Sequence, residues 1–256
     1  EVYDGCFKEN AHVIESVKRS GSVKRFVFTS SFAAVGHPRP EGYVFTEKDW
    51  CGDNVEAYKG RWSEEQISQN RDIAYAMAKA NSEKLIYAEA EADGSFEALA
   101  ILPLHVVGPL IAPNHDQPWS WQNHIRGMMQ GKAYRGGREG RMLWNAVDVR
   151  DVARAHRLSI ETTIGTNGSR YILSAADRSS ELYTWQLQAL LESMYPMVEE
   201  IGGEPMENDM PAQTTYDAPR AYCLLAMQEL GLEAFDIETT IRDTVDSYYS
   251  MGILKG

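Results

Sequence analysis

The stretch IAYAMAKANSEKLIYAEAEA, Ile73 to Ala92, decides how this chain folds. Read as a helix, it sets Tyr75 and Lys79 one turn apart on one face, where a phenol and an ammonium can serve a single reacting centre. A Tyr-x-x-x-Lys pair alone is ordinary surface chemistry, with the ring half buried and the amine solvated. The flanks have to decide. Upstream, VKRFVFTSSFAAVG (Val23 to Gly36) reads as a strand, Arg25 to Thr29, closing on Ser30, Ser31 and a turn of small residues. Its unbroken Phe26-Val27-Phe28 implies burial on both faces, as in a parallel sheet, and the carboxyl end of such a strand is where open α/β sheets bind ligands. Downstream, ALAILPLHVVGP (Ala98 to Pro109) reads as a second buried strand ending at Pro103.

Strand with terminal serine, helix with Tyr and Lys, strand ending in proline: this order resembles the extended short-chain dehydrogenase/reductase superfamily, of the NAD-dependent epimerase/dehydratase type. The wording VKRFVFTSS, YAMAKANSEK and LPLHVVGP is most similar to its dihydroflavonol-reductase-like branch, which includes 3β-hydroxysteroid dehydrogenases and yeast-type carbonyl reductases. The segment WNAVDVRDVARAH (Trp144 to His156) also resembles the family, with Asp148 as a helix N-cap and Asp151 in the first turn. The resemblance covers nearly the whole chain. It implies an α/β fold, a Rossmann-type doubly wound parallel sheet with a small C-terminal α/β substrate lobe. The expected division is 1–110 for the dinucleotide domain and 111–256 mainly for the lobe, with 142–174 returning to the Rossmann core.

The resemblance also implies chemistry: an NAD(P)H-dependent reductase or dehydrogenase interconverting a carbonyl and an alcohol on a small or medium-sized substrate. Ser31 matches the family's catalytic serine, and Tyr75 and Lys79 its acid and its lysine. Thr29, Ser30, Tyr75, Lys79, Pro103, Leu104 and Val106 match the cofactor side, and Ser31, Gly36 and His105 the substrate side. Of the two serines, Ser30 better suits a mere turn cap. A phenol has a pKa near 10, so it gives up its proton readily only beside a cation, which Lys79 supplies. The E-x-D-W sequence at Glu47, Asp49 and Trp50 opens a loop, His37 to Ser68, that in the family lies over the active site. Glu64 and Glu65 within it read as a solvated helix start. Plant dihydroflavonol reductases carry asparagine where this chain has Gly36, which argues against a flavonoid. NADP(H) is expected over NAD(H) by family habit.

Composition narrows the partners. The 256 residues, 43% hydrophobic, can bury a substantial core, and a net charge of −12 repels a nucleic acid. No apolar run nears the roughly 18 residues of a membrane span. Three scattered cysteines fit neither a disulfide framework nor a zinc site, and His115 and His124 have no partner at metal-ligand spacing, so no metal is expected. These features suit an intracellular, cytoplasmic protein. The helix face bearing Asn81, Glu83, Lys84 and Glu89 reads as polar surface. The family's habit of pairing through that helix makes a homodimer an expectation.

The chain starts with Glu-Val and contains no G-x-x-G-x-x-G; Gly136, Gly137 and Gly140 sit in a basic loop without strand or helix around them. The expectation is therefore the C-terminal part of a longer enzyme, with the Gly-rich half not represented or supplied by a partner chain. Two other functions compete. A sugar-nucleotide epimerase or dehydratase would use Arg126, Arg138 and Arg141 on a diphosphate. A non-catalytic reductase-like subunit would have no use for Ser31, Tyr75 and Lys79 together.

Overall fold

The computed structural model describes residues 2–36, 39, 42–51, 70–118, 120–132, 143–203 and 220–255, the side chains of 2–4 and 6 excepted. Glu64, Glu65, Arg138, Arg141, the three glycines of the basic loop and most of the 37–68 loop lie outside them.

The described chain forms two units, the first made of Glu1–Leu104, Val152–Leu173 and Ala221–Leu232. Its first helix is α1 (Val2–Ser20). After it comes β1 (Arg25–Thr29), with the bounds expected. Helix α2 (Arg71–Asp93) begins where the Asn70 side chain accepts from the N–H groups of Asp72 and Ile73, and stops at Gly94. The φ of 70° at Gly94 is the left-handed conformation that glycine takes without a steric penalty. Ile73, Ala76, Ala80, Ile86 and Ala90 form its buried face. The small alanines let it pack closely on α1, where Asn10 also donates to Ser82 Oγ at 3.0 Å.

Strand β2 (Glu97–Pro103) lies between β1 and β6 (Arg170–Leu173), all parallel, with Phe26 opposite Ala98 and Ile101 opposite both Thr29 and Tyr171. Central β2 is fully buried from Ala98 on. By contrast Phe26 and Val27 are only half buried, against the expectation of burial on both faces, because β1 is an outer strand of the described sheet. Arg25 closes the amino end of this sheet, donating to the carbonyls of Ser159 and Gly165 and to Glu97. In the 42–51 segment, Asp49 accepts from the Thr46 N–H at 2.9 Å and from the Tyr43 hydroxyl at 2.7 Å. Burial pushes the Asp49 carboxyl up, but these bonds outweigh it and hold the group below its ordinary range. Helix α6 spans only Leu224–Leu230. Ala221 and Cys223 are buried with Tyr222 half exposed between them, the period of an extended segment rather than a helix.

The second unit comprises His105–Asp151, Ser174–Arg220 and Glu233–Gly256. The boundaries thus differ from those read in the sequence: the return to the first unit runs from Val152, not 142, and Ala221–Leu232 belongs with it. The cause lies in pairing. Strand β3 (His105–Val107) pairs in parallel with β5 (Ala146–Asp148), and β4 (Leu143–Trp144) pairs antiparallel with β7 (Leu182–Tyr183). Around them α3 (Trp121–Met129), α5 (Thr184–Met194) and α7 (Ile237–Ser250) bury Ile125, Leu187, Leu191, Ile241 and Val245. Asp148 caps α4 (Val149–Glu161) as expected, accepting from the Arg150 N–H at 2.8 Å, and it also holds the Arg150 guanidinium and the Thr240 hydroxyl.

Candidate active site

At the carboxyl end of β1, the Ser30 N–H donates to Ile101 O at 2.9 Å, so the sheet ladder runs one residue past the strand. Ser31 then turns out in extended conformation and caps the single helical turn Phe32–Ala34, its Oγ accepting from the Ala33 N–H at 3.2 Å. Turn capping therefore falls to Ser31 and not, as expected, to Ser30. It leaves the Ser31 O–H as a donor, because a hydroxyl can accept and donate at once.

Lys79 reaches this strand end from α2. Its Nζ donates to Thr29 O at 3.0 Å and stands 5.1 Å from the centre of the Phe28 ring and 5.8 Å from that of Tyr75. Tyr75 is 38% exposed, so its phenol belongs to the surface of the first unit beside the ammonium. Thr29, Ser31, Tyr75 and Lys79 thus gather around one strand terminus. The Thr29 hydroxyl meets His156 Nε2 at 2.7 Å, and His156 Nδ1 faces Val152 O at 2.8 Å. A carbonyl only accepts, so Nδ1 carries the hydrogen, and in the neutral ring Nε2 accepts from Thr29. His156 closes the DVARAH run, which sequence reasoning treated as structure alone.

The Ser30 side chain points elsewhere. It is 3% exposed and donates to Glu83 Oε1. Glu83 Oε2 accepts from Arg170 Nε at 2.8 Å, both side chains being buried, and Tyr87 donates to the same oxygen at 3.4 Å. Burial pushes the Glu83 carboxyl up, with Arg170 opposing, and the same burial beside Glu83 raises the Tyr87 phenol. Arg170 Nη1 also donates to Glu47 O at 2.6 Å and Asp49 O at 2.7 Å. Sequence reasoning missed Glu83 and Arg170; the available signal was that Tyr75, Lys79 and Glu83 recur at steps of four.

The proline turn has fewer open groups than expected. Pro103 carries no N–H, and the Leu104 N–H donates to Leu173 O at 2.9 Å, which leaves their carbonyls. His105 and Val106 belong to the second unit, Val106 opposite Val147. The His105 ring lies 3.7 Å from that of Trp121, tilted by 32°, and 6.0 Å from Trp144, within an aromatic cluster. Arg126, a candidate for a diphosphate, is paired with Asp116 at 3.3 Å. Among the described residues no group of three His, Cys, Asp or Glu could hold a metal, and no helix is long and apolar enough to cross a membrane.

Gly36 follows the turn capped by Ser31, and a Cβ placed on it would lie 2.8 Å from Phe32 Cε1. The Phe32 ring is buried and packed edge-on against Phe45, with centroids 5.5 Å apart. Either alanine or the asparagine of plant reductases would have to displace that ring. Gly36→Ala is expected to cost about 1–3 kcal/mol in denaturant unfolding; unchanged stability would mean the ring yields freely.

A hydroxyl donor, an exposed phenol and an ammonium at the carboxyl end of a parallel strand suit a nicotinamide ribose and a carbonyl oxygen. The elements that carry them form a Rossmann-like α/β fold. The chain belongs to the NAD dependent epimerase/dehydratase family, whose family model matches residues 3–173. It is 28% identical over 258 residues to an uncharacterized oxidoreductase of Schizosaccharomyces pombe, covering 96% of this chain and 68% of that protein. It is 27% identical over 256 residues to a cinnamoyl-CoA reductase of Medicago truncatula, covering 96% and 67%. The chain therefore spans about two thirds of the length of these relatives. Its fold is that of yeast methylglyoxal/isovaleraldehyde reductase Gre2, solved with NADPH: TM-score 0.73 at 21% identity, over 97% of this chain and 71% of that one.

Proposed function

We propose that this protein reduces a carbonyl group on a small or medium-sized organic molecule to an alcohol, with NADP(H) used in preference to NAD(H). The observation that carries the reading is Lys79, fastened to Thr29 O at the strand end with the Tyr75 ring beside it. When bound, the dinucleotide supplies the hydride. The Ser31 O–H holds the substrate oxygen in place. Tyr75 gives its phenolic proton to that oxygen as negative charge develops there. Lys79 stabilises the phenolate left behind and holds the ribose hydroxyls. One C–H and one O–H bond form as the C=O π bond is lost. The carbonyls of Pro103 and Leu104 would accept from the carboxamide.

Support for the substrate class comes from the relatives, a cinnamoyl-CoA reductase and a methylglyoxal/isovaleraldehyde reductase, both acting on carbonyl compounds. Support for NADP(H) comes from the NADPH held by Gre2. Cys51 and Cys223 are buried and outside any disulfide among the described residues, in keeping with a reducing, intracellular setting.

The test is a panel of aliphatic aldehydes, aryl aldehydes and ketones offered to the natural protein with NADPH or NADH, followed at 340 nm. NADPH oxidation dependent on at least one carbonyl is the expected result. Turnover of nucleotide sugars with every carbonyl left untouched would overturn the reading in favour of an epimerase or dehydratase.

A further inference from the structure

We propose that the buried Glu83–Arg170 pair is a positioning device that sets Ser31 against Tyr75, an inference that rests on the reductase reading above. Tyr75, Lys79 and Glu83 stand at four-residue steps and so form one stripe along α2. Two of them grip consecutive residues of the strand end: Lys79 Nζ takes Thr29 O at 3.0 Å, and Glu83 Oε1 takes the Ser30 hydroxyl. Ser31 is the next residue. Its Oγ is held locally, by the Ala33 N–H, and the two grips before it tie its strand end to the helix, on which its turn also packs.

The grip on Ser30 depends on a buried carboxylate, and a carboxylate with no exposure needs a counter-charge. Arg170 provides it through Nε at 2.8 Å. The same guanidinium donates to Glu47 O and Asp49 O and stacks 3.6 Å from the centre of the Trp50 ring. Glu47 in turn accepts from the Ile172 N–H at 3.1 Å. One planar cation thereby joins the helix that carries Tyr75, the strand end that carries Ser31 and the E-x-D-W segment. Lysine, a point charge without a fork, cannot make these contacts together.

Four variants of the natural protein test this: Ser30→Ala, Glu83→Gln, Glu83→Ala and Arg170→Lys. Each is read by steady-state kinetics, melting temperature and amide hydrogen exchange at Ala34, Val35 and Gly36, whose N–H groups bond within the Ser31 turn. Ser30→Ala removes one hydroxyl. It is expected to lower kcat about 10-fold while leaving the KM for NADPH near wild type, and to lower the melting temperature by a few degrees because one buried carboxylate oxygen loses its donor. Exchange in the turn should quicken while the rest of α2 stays protected. Glu83→Gln keeps an acceptor for Ser30 and should lose less kcat than Glu83→Ala. Wild-type kcat and wild-type turn exchange in Ser30→Ala would overturn the proposal, whether or not the other variants fold. If the wild type reduces no carbonyl, the reductase reading falls, and turn exchange in Ser30→Ala alone decides on the positioning role: quickened supports it, unchanged overturns it.

Discussion

Replacing Tyr75 by phenylalanine is expected to lower carbonyl reduction by at least about 100-fold while NADPH still binds, the usual range for loss of a positioned general acid. The reasoning is local. Phenylalanine fills the same volume, and Tyr75 is 38% exposed, so no core packing is lost. What disappears is the only atom the substitution removes, the phenolic oxygen and its proton. Lys79→Met should behave differently, because Nζ both faces the Tyr75 ring and holds Thr29 O. It should weaken cofactor binding and turnover together. The deciding measurements are kcat for the responsive carbonyl and NADPH binding by fluorescence, for each variant. A Tyr75→Phe protein with full turnover would remove Tyr75 from the mechanism.

The second large effect is on stability. Arg170→Ala would leave the Glu83 carboxylate buried at no exposure without its counter-ion, and would release the carbonyls of Glu47 and Asp49. Breaking such a pair from one side costs about 3–5 kcal/mol. For a chain of this size that corresponds to a fall of roughly 6–20 °C in melting temperature. Burial raises the Glu83 pKa, so the sign with pH follows: the protonated carboxyl suits the folded state better once Arg170 is gone. The deficit of the variant should therefore shrink as pH falls toward the ordinary carboxylate range and be full at neutral pH. Thermal unfolding at several pH values measures this. A deficit that grows on acidification would contradict it.

Much of the architecture is legible in the residues because local rules carry it. The apolar run Phe26 to Phe28 bounded by charge and serine marks β1, and Asp93-Gly94 ends α2 because only a residue tolerant of positive φ can turn the chain there. The Tyr75 and Lys79 spacing is likewise a local feature. What escapes is long-range pairing. Glu83 and Lys84 sit in a stretch that reads as polar surface, yet Glu83 finds Arg170 far along the chain, Lys84 lies 4.9 Å from the Trp50 ring centre, and Glu89 pairs with Lys18. No periodicity announces a charge whose partner is supplied by another strand. His156 escapes for the same reason, its contact with Thr29 being visible only once α4 is laid beside β1. The turn cap fell to the other serine than expected because Ser30 and Ser31, identical in type, face opposite environments.

The bond from Lys79 to position 29 is made to a peptide oxygen, which every amino acid possesses, whereas the bond from Glu83 to position 30 is made to a side chain. Adjacent residues are thereby placed under different rules of variation. Position 29 can drift among side chains without loosening the lysine, while position 30 can change only together with position 83. In a library randomised at both sites, tolerance should part sharply between two neighbours in the chain.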